Sequence, residues 1–205
     1  MRRQTGILAL LALCLLVVPA SAWQDDFQSG TGYGWTVFHT GYPSQIVNSP
    51  HLDTRAMKLY VLGSNSQPHT TTVKPDYYGP FNYLGFNVLS GSAGTSGGRG
   101  YVKFYGESGT QICDLTISSY GTPPIRVEVI RDGSQAYLYV NGVYKSSATC
   151  NGQPYSVGIG AYAPRDYYYT HMTFDDVVIG GSEPNILGII PEDWYVLKHP
   201  TDPTM

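Results

Sequence analysis

The sequence predicts an all-β fold, a two-sheet antiparallel sandwich of about eleven strands with an irregular C-terminal tail. Three observations carry this. Between Trp23 and Gly181 no window of about 11 residues keeps the i, i+3, i+4, i+7 apolar spacing of a helix without a Gly or Pro break. Short runs alternate apolar with polar residues instead, the period of a half-buried strand. Asp-Gly and Asn-Gly then stand between such runs, as tight hairpins require.

In chain order, Ala56 to Val61 places Met57, Leu59 and Val61 on one face, and Tyr83 to Ser90 does the same with Leu84, Phe86 and Val88. Gly100 to Gly106 sets Val102 and Phe104 against Tyr101, Lys103 and Tyr105. Ile125 to Ser147 reads as a three-strand meander. Ile125, Val127 and Val129 alternate with Arg126 and Glu128, Asp132-Gly133 turns the chain, Gln135 to Val140 alternates again, and Asn141-Gly142 leads into Val143-Tyr144-Lys145. Further strands are expected at Tyr155–Ala163 and His171–Ile179. Gly91 to Gly98 reads as a hairpin tip; it has no lysine and no following helix, so it is not a phosphate-binding loop.

The chain has 205 residues, 42% hydrophobic and 13% charged, which suits one packed domain rather than a disordered chain. Its net charge of −3 lacks the basic footprint of a nucleic-acid binder. Met1-Arg2-Arg3, the apolar run Ile7–Val18 and the small residues Pro19 to Ala22 read as a secretory signal peptide, residues 1–22. That run is too short to span a bilayer as a helix, so no membrane span is expected after its removal, and the expected location is extracellular or at the cell surface. The expected domain is 23–181, and residues 182–205, with Pro184, Pro191, Pro200 and Pro203, read as a tail or linker. Cys113 and Cys150 remain after cleavage. In an oxidising compartment they read as one disulfide, with two free thiols as the alternative.

Three segments together resemble the concanavalin A-like lectin/glucanase superfamily, in its laminin-G-like and carbohydrate-binding-module branches. They are Trp23-Gln24-Asp25-Asp26-Phe27 with Gly34-Trp35, the meander Val127 to Gly142, and Phe174-Asp175-Asp176-Val177-Val178-Ile179-Gly180. The resemblance implies a jelly-roll sandwich with first and last strands side by side and a concave face that binds glycans. It also implies a structural calcium ion near those strands, held by Asp25, Asp26, Asp175 and Asp176; the other reading of these residues is solvated strand-edge acids.

The glucanases of that superfamily carry Glu-x-Asp-x-x-Glu on one strand, and none of Glu107, Glu128, Glu183 and Glu192 has this spacing. Glu128 paired with Asp114 or Glu107 is the remaining route to a carboxylate pair, but its position reads as a solvent-face acid. No pair among His39, His51, His69, His171 and His199 has zinc-site spacing, and a Tyr–His pairing of lyase type, Tyr169 with His171 for example, carries little weight among 18 tyrosines. Tyrosine dominates instead, and flat aromatic rings suit the C–H faces of sugars. The expected glycan contacts are Arg165, Asp166, Tyr167, Tyr168 and Tyr169, with Tyr77 and Tyr78 as a second cluster; Tyr101, Tyr105, Tyr137 and Tyr139 would tile sheet surfaces. Cross-strand tyrosine pairs that only stabilise a sheet are the alternative for all of them.

The sequence is therefore read as a non-catalytic, lectin-like, carbohydrate-binding module and not an enzyme. The alternatives are a cell-surface adhesion module that binds protein, suggested by the tail Pro191–Met205, and a glycoside hydrolase or polysaccharide lyase.

Overall fold

The computed structural model describes residues 23–28, 34–39, 45–48, 55–62, 68–92, 97–118, 123–164 and 169–180. The leader and tail lie outside the described residues. Thirteen strands run through the described part: β1 (Trp23–Asp25), β2 (Trp35–His39), β3 (Gln45–Asn48), β4 (Arg55–Leu62), β5 (His69–Pro75), β6 (Tyr83–Ser92), β7 (Arg99–Tyr105), β8 (Gln111–Ile117), β9 (Ile125–Asp132), β10 (Gln135–Val140), β11 (Val143–Thr149), β12 (Ser156–Ala163) and β13 (Tyr169–Gly180). No described helix is long and apolar enough to cross a membrane.

The strands form two antiparallel sheets, as expected for a jelly-roll sandwich. The larger has eight strands in the order β11-β10-β9-β6-β13-β4-β3, with β1 also paired to β13; the smaller has five, β2-β5-β12-β7-β8. The last strand thus lies inside the large sheet, and the first docks on it through Trp23↔Ile179 and Asp25↔Val177. The meander pairs as read, β9 on β10 and β10 on β11, with Asn141 and Gly142 at positive φ in the second turn.

Alternation fixes which faces meet. Leu84, Phe86 and Val88 of β6 and Val127 and Val129 of β9 point inward, where they meet Val102 and Phe104 of β7 and Val157 and Ile159 of β12. An aromatic cluster joins the layers: Phe174 packs on Phe27 at 5.7 Å, Phe86 at 5.7 Å and Trp35 at 6.0 Å. Each such side chain withdrawn from water stabilises the fold by about 1.5–3 kcal/mol.

Cys113 of edge strand β8 and Cys150, just after edge strand β11, form the disulfide, with Cα atoms 4.8 Å apart. It ties one sheet to the other along one side of the sandwich. Replacing both cysteines with serine is predicted to lower unfolding free energy by about 4 kcal/mol on the chain-entropy model. Urea denaturation of both forms checks this; a difference below about 1 kcal/mol would contradict it.

Candidate functional site

The outward faces of the two sheets differ in chemistry. On the large sheet, the outward side chains of β6, β9 and β13 join in a buried polar network. Arg126 donates from Nη2 to the Tyr83 hydroxyl at 3.0 Å and from Nη1 to Asn87 Oδ1 at 3.1 Å. Tyr83 in turn donates to Glu128 Oε1 at 3.0 Å, and Asn87 Nδ2 donates to Asp176 Oδ2 at 2.6 Å. Gly85 makes this possible, because a Cβ there would collide with the Arg126 guanidinium and the Tyr83 hydroxyl. Burial pushes the Tyr83 phenol up to about 12.

This corrects the reading of Glu128 as a solvent-face acid: it is 5% exposed, held by Tyr83 and faced by Arg126. Its proposed partners are out of reach as well. Asp114 lies on β8, between inward Cys113 and Leu115, so it faces away from the sandwich on the opposite side. Glu107 follows β7 of that same small sheet. A carboxylate pair must flank one bond about 5–9.5 Å apart, so neither pairing serves glycoside hydrolysis.

Asp25, Asp26, Asp175 and Asp176 do converge, through the pairing of β1 with β13. Asp175 is 2% exposed and its carboxyl is pushed up to about 7, first by burial and then by the charges of Asp176, Asp26 and Asp25. Asp176 sits at φ 50°, where the β13–β6 register shifts. An all-oxygen donor set is what calcium takes. Yet both Asp25 oxygens already accept, from the Phe27 N–H at 2.8 Å and from Trp35 Nε1 at 2.6 Å. Among the described residues no three His, Cys, Asp or Glu side chains are arranged to hold an ion. The arrangement therefore does not fit a preformed calcium site.

The small sheet presents another kind of surface. Outward positions of β7 are Arg99, Tyr101, Lys103 and Tyr105; those of β5 are Thr70, Thr72 and Lys74; those of β12 are Gly158, Gly160 and Tyr162; and β2 adds Thr36 and exposed Phe38. The glycines shape this face. A Cβ on Gly160 would strike the Tyr101 ring, and one on Gly158 would press on Thr72 and Tyr105. Both rings therefore lean over bare backbone, and the Tyr101 hydroxyl hydrogen-bonds Thr72. Cations lie on the rings: Lys74 Nζ is 3.4 Å from the Tyr105 centroid and 5.1 Å from Phe38, Lys103 Nζ 4.9 Å from Tyr101, and Arg99 Cζ 4.7 Å from Tyr162. Burial, and then Lys103, pulls the Lys74 ammonium below its ordinary value, while burial raises the Tyr105 phenol.

Of the expected glycan contacts, residues 165–168 lie outside the described residues, and for Tyr169 only its place at the start of β13 is described. Tyr77 leans on Phe81 and donates to the Pro80 carbonyl; Tyr78, 62% exposed, packs on Tyr155 and donates to the Glu107 carbonyl. Tyr101 and Tyr105 share the small-sheet face, whereas Tyr137 and Tyr139 lie on the large sheet around Tyr144. His171 pairs with Tyr60 in register, also on the large sheet. Lys74 had no signal of its own in the sequence, since only cross-strand register brings it over Tyr105.

Solved structures share the fold. The chain is similar to the Crh5 transglycosylase in complex with NAG (12% identity, TM-score 0.55, covering 81% of this chain and 86% of that one). It is similar to a β-1,3-1,4-glucanase (lichenase) derived from a mouse hindgut metagenome (7%, TM-score 0.52, 78% and 99%) and to a Bacillus subtilis protein with a galectin-like fold (9%, TM-score 0.50, 80% and 97%). The fold is the concanavalin A-like jelly roll. No family model and no curated protein matches the chain. The solved neighbours are mainly glycan-cleaving or glycan-transferring enzymes. That overturns the sequence-based reading of a non-catalytic lectin-like module that is not an enzyme.

Asp175 gives a pH test. Its folded pKa lies above that of an unfolded aspartate, so its contribution to stability is present below about pH 4 and is lost as pH rises through about 7. His171, with its pKa lowered by burial, acts in the opposite sense, so the comparison needs a variant. Asp175→Asn is predicted to gain several degrees of melting temperature over the parent between pH 5 and pH 8. An unchanged gap across that range would contradict the burial described.

Proposed function

We propose that this chain is an exported polysaccharide-cleaving enzyme that works on the outward face of the small sheet, where Lys74 in its neutral form takes a proton from the sugar and the Tyr105 phenol gives one to the departing glycosidic oxygen, rather than through a carboxylate pair. The observation that carries the reading is the Tyr105–Lys74 contact. Lys74 Nζ lies over the face of the Tyr105 ring, and burial moves the phenol's pKa up and the ammonium's down on one open face. That pairing supplies a proton donor and a group able to accept one. Phe38 and Tyr162, with Gly158 and Gly160 between the strands, offer a flat floor for sugar rings.

Support for cleavage over simple binding comes from the fold's enzyme neighbours. Support for the lyase branch over the hydrolase branch comes from Glu128, whose carboxylate lies on the other sheet. Export is supported by the leader and by the Cys113–Cys150 disulfide.

The test is incubation of the protein with a panel of polysaccharides, following new reducing ends and ultraviolet absorbance from unsaturated products. Tyr105→Phe is predicted to lower the rate by about 10²–10⁴-fold while leaving substrate binding within a factor of a few. Glu128→Gln should retain activity per folded molecule. No product from any polysaccharide, or loss of activity only in Glu128→Gln, would overturn the proposal.

A further inference from the structure

The charges of this chain are distributed against its average. Net charge is −3, and removal of Arg2 and Arg3 with the leader takes it to −5. Yet the small-sheet face carries Arg99, Lys103 and Lys74, and its strands contribute a single carboxylate among the described residues, Asp114. Asp114 is the register partner of Lys103 but is not in ion-pair contact with it. The ion pair Arg126–Glu128 lies on the other sheet. All four cation–ring contacts found among the described residues fall on the small-sheet face.

These cations are positioned by rings, and among the described residues none is in an ion pair. The rings seat the side chains along the surface, and Lys74 and Lys103 stand close enough to repel each other. Arg99 and Lys103 are four residues apart on one strand, about 13 Å at the rise of a β-strand. Lys74 lies two strands away, across the glycines of β12. A single small anion cannot meet charges so spread. A chain with a repeating negative charge can, and its apolar ring faces would meet Tyr105, Phe38 and Tyr162.

We propose that the small-sheet face binds a polyanionic polysaccharide, its carboxylate or sulfate groups meeting Lys74, Lys103 and Arg99. The inference names the substrate class of the enzyme proposed above and rests on that reading for the choice of face. Carboxylate and sulfate share the required chemistry, and the two probes below separate them.

The experiment measures binding of polygalacturonate, dextran sulfate and a neutral mixed-linkage glucan to the full-length protein at low and high salt. Two double variants with equal charge change are compared, Lys74→Gln/Lys103→Gln on the face and Lys58→Gln/Lys145→Gln on the large sheet. The first should weaken binding of the preferred polyanion by at least tenfold and flatten its salt dependence, while the second changes it less than twofold. Preference for polygalacturonate assigns carboxylate, and preference for dextran sulfate assigns sulfate. Equal losses in both double variants, or neutral glucan bound as tightly as either polyanion, would overturn the inference. Tight polyanion binding without cleavage would support it and remove the enzyme reading; cleavage of neutral glucan without polyanion binding would overturn it together with the lyase branch, leaving glycan cleavage alone.

Discussion

The absence of side chains at Gly158 and Gly160 is the constraint on which the proposed function rests. A sheet face normally raises one side chain from every second residue of each strand. Here β12, the middle strand of the small sheet, raises none at two successive outward positions. The rings of Tyr101 and Tyr105 lie over the space: a Cβ on Gly160 would collide with Tyr101, and one on Gly158 would collide with Thr72 and crowd Tyr105. Lowering the rings onto the backbone buries much of each phenol, which raises both pKa values, and leaves the tops of the rings as seats for Lys103 and Lys74. Packing geometry thus sets both the flatness of the surface and its proton chemistry.

Gly85 produces a different result on the large sheet. There too a bare position lets long side chains lie flat, but those are Arg126 and Tyr83, and they close over Glu128. Every strong polar group in that network has a partner, as buried polar groups require. The network holds β6, β9 and the irregular part of β13 in register. It is built like an interior, whereas the small-sheet face carries cations that no described carboxylate pairs with. That difference is the physical reason for placing chemistry on one and structure on the other.

Much of the fold was legible because it is local. The meander from Ile125 to Thr149 follows from alternation and two turn dipeptides, and the observed strands match the reading within a few residues. The disulfide was legible from cysteine count and compartment, although its span between sheet edges was not. Strands β1, β2 and β3 escaped the alternation test, because segments of 3, 5 and 4 residues are too short to show a period. Glu128 was misread for a non-local reason: its neighbours in sequence are those of an exposed strand acid, and its cover comes from β6, about 45 residues earlier. The small-sheet face was half legible. Tyr101, Lys103 and Tyr105 stood out as one side of a strand, but Lys74 and the two glycines join them only through strand order, which no local pattern encodes.

The most direct test of the account is lysine footprinting with an amine-acylating reagent, with and without a saturating acidic oligosaccharide. Four lysines lie in the described residues, two on each sheet. The account predicts that ligand protects Lys74 and Lys103 from modification and leaves Lys58 and Lys145 reacting as before. Protection of Lys58 or Lys145, with Lys74 and Lys103 unchanged, would place the ligand on the large sheet and contradict it.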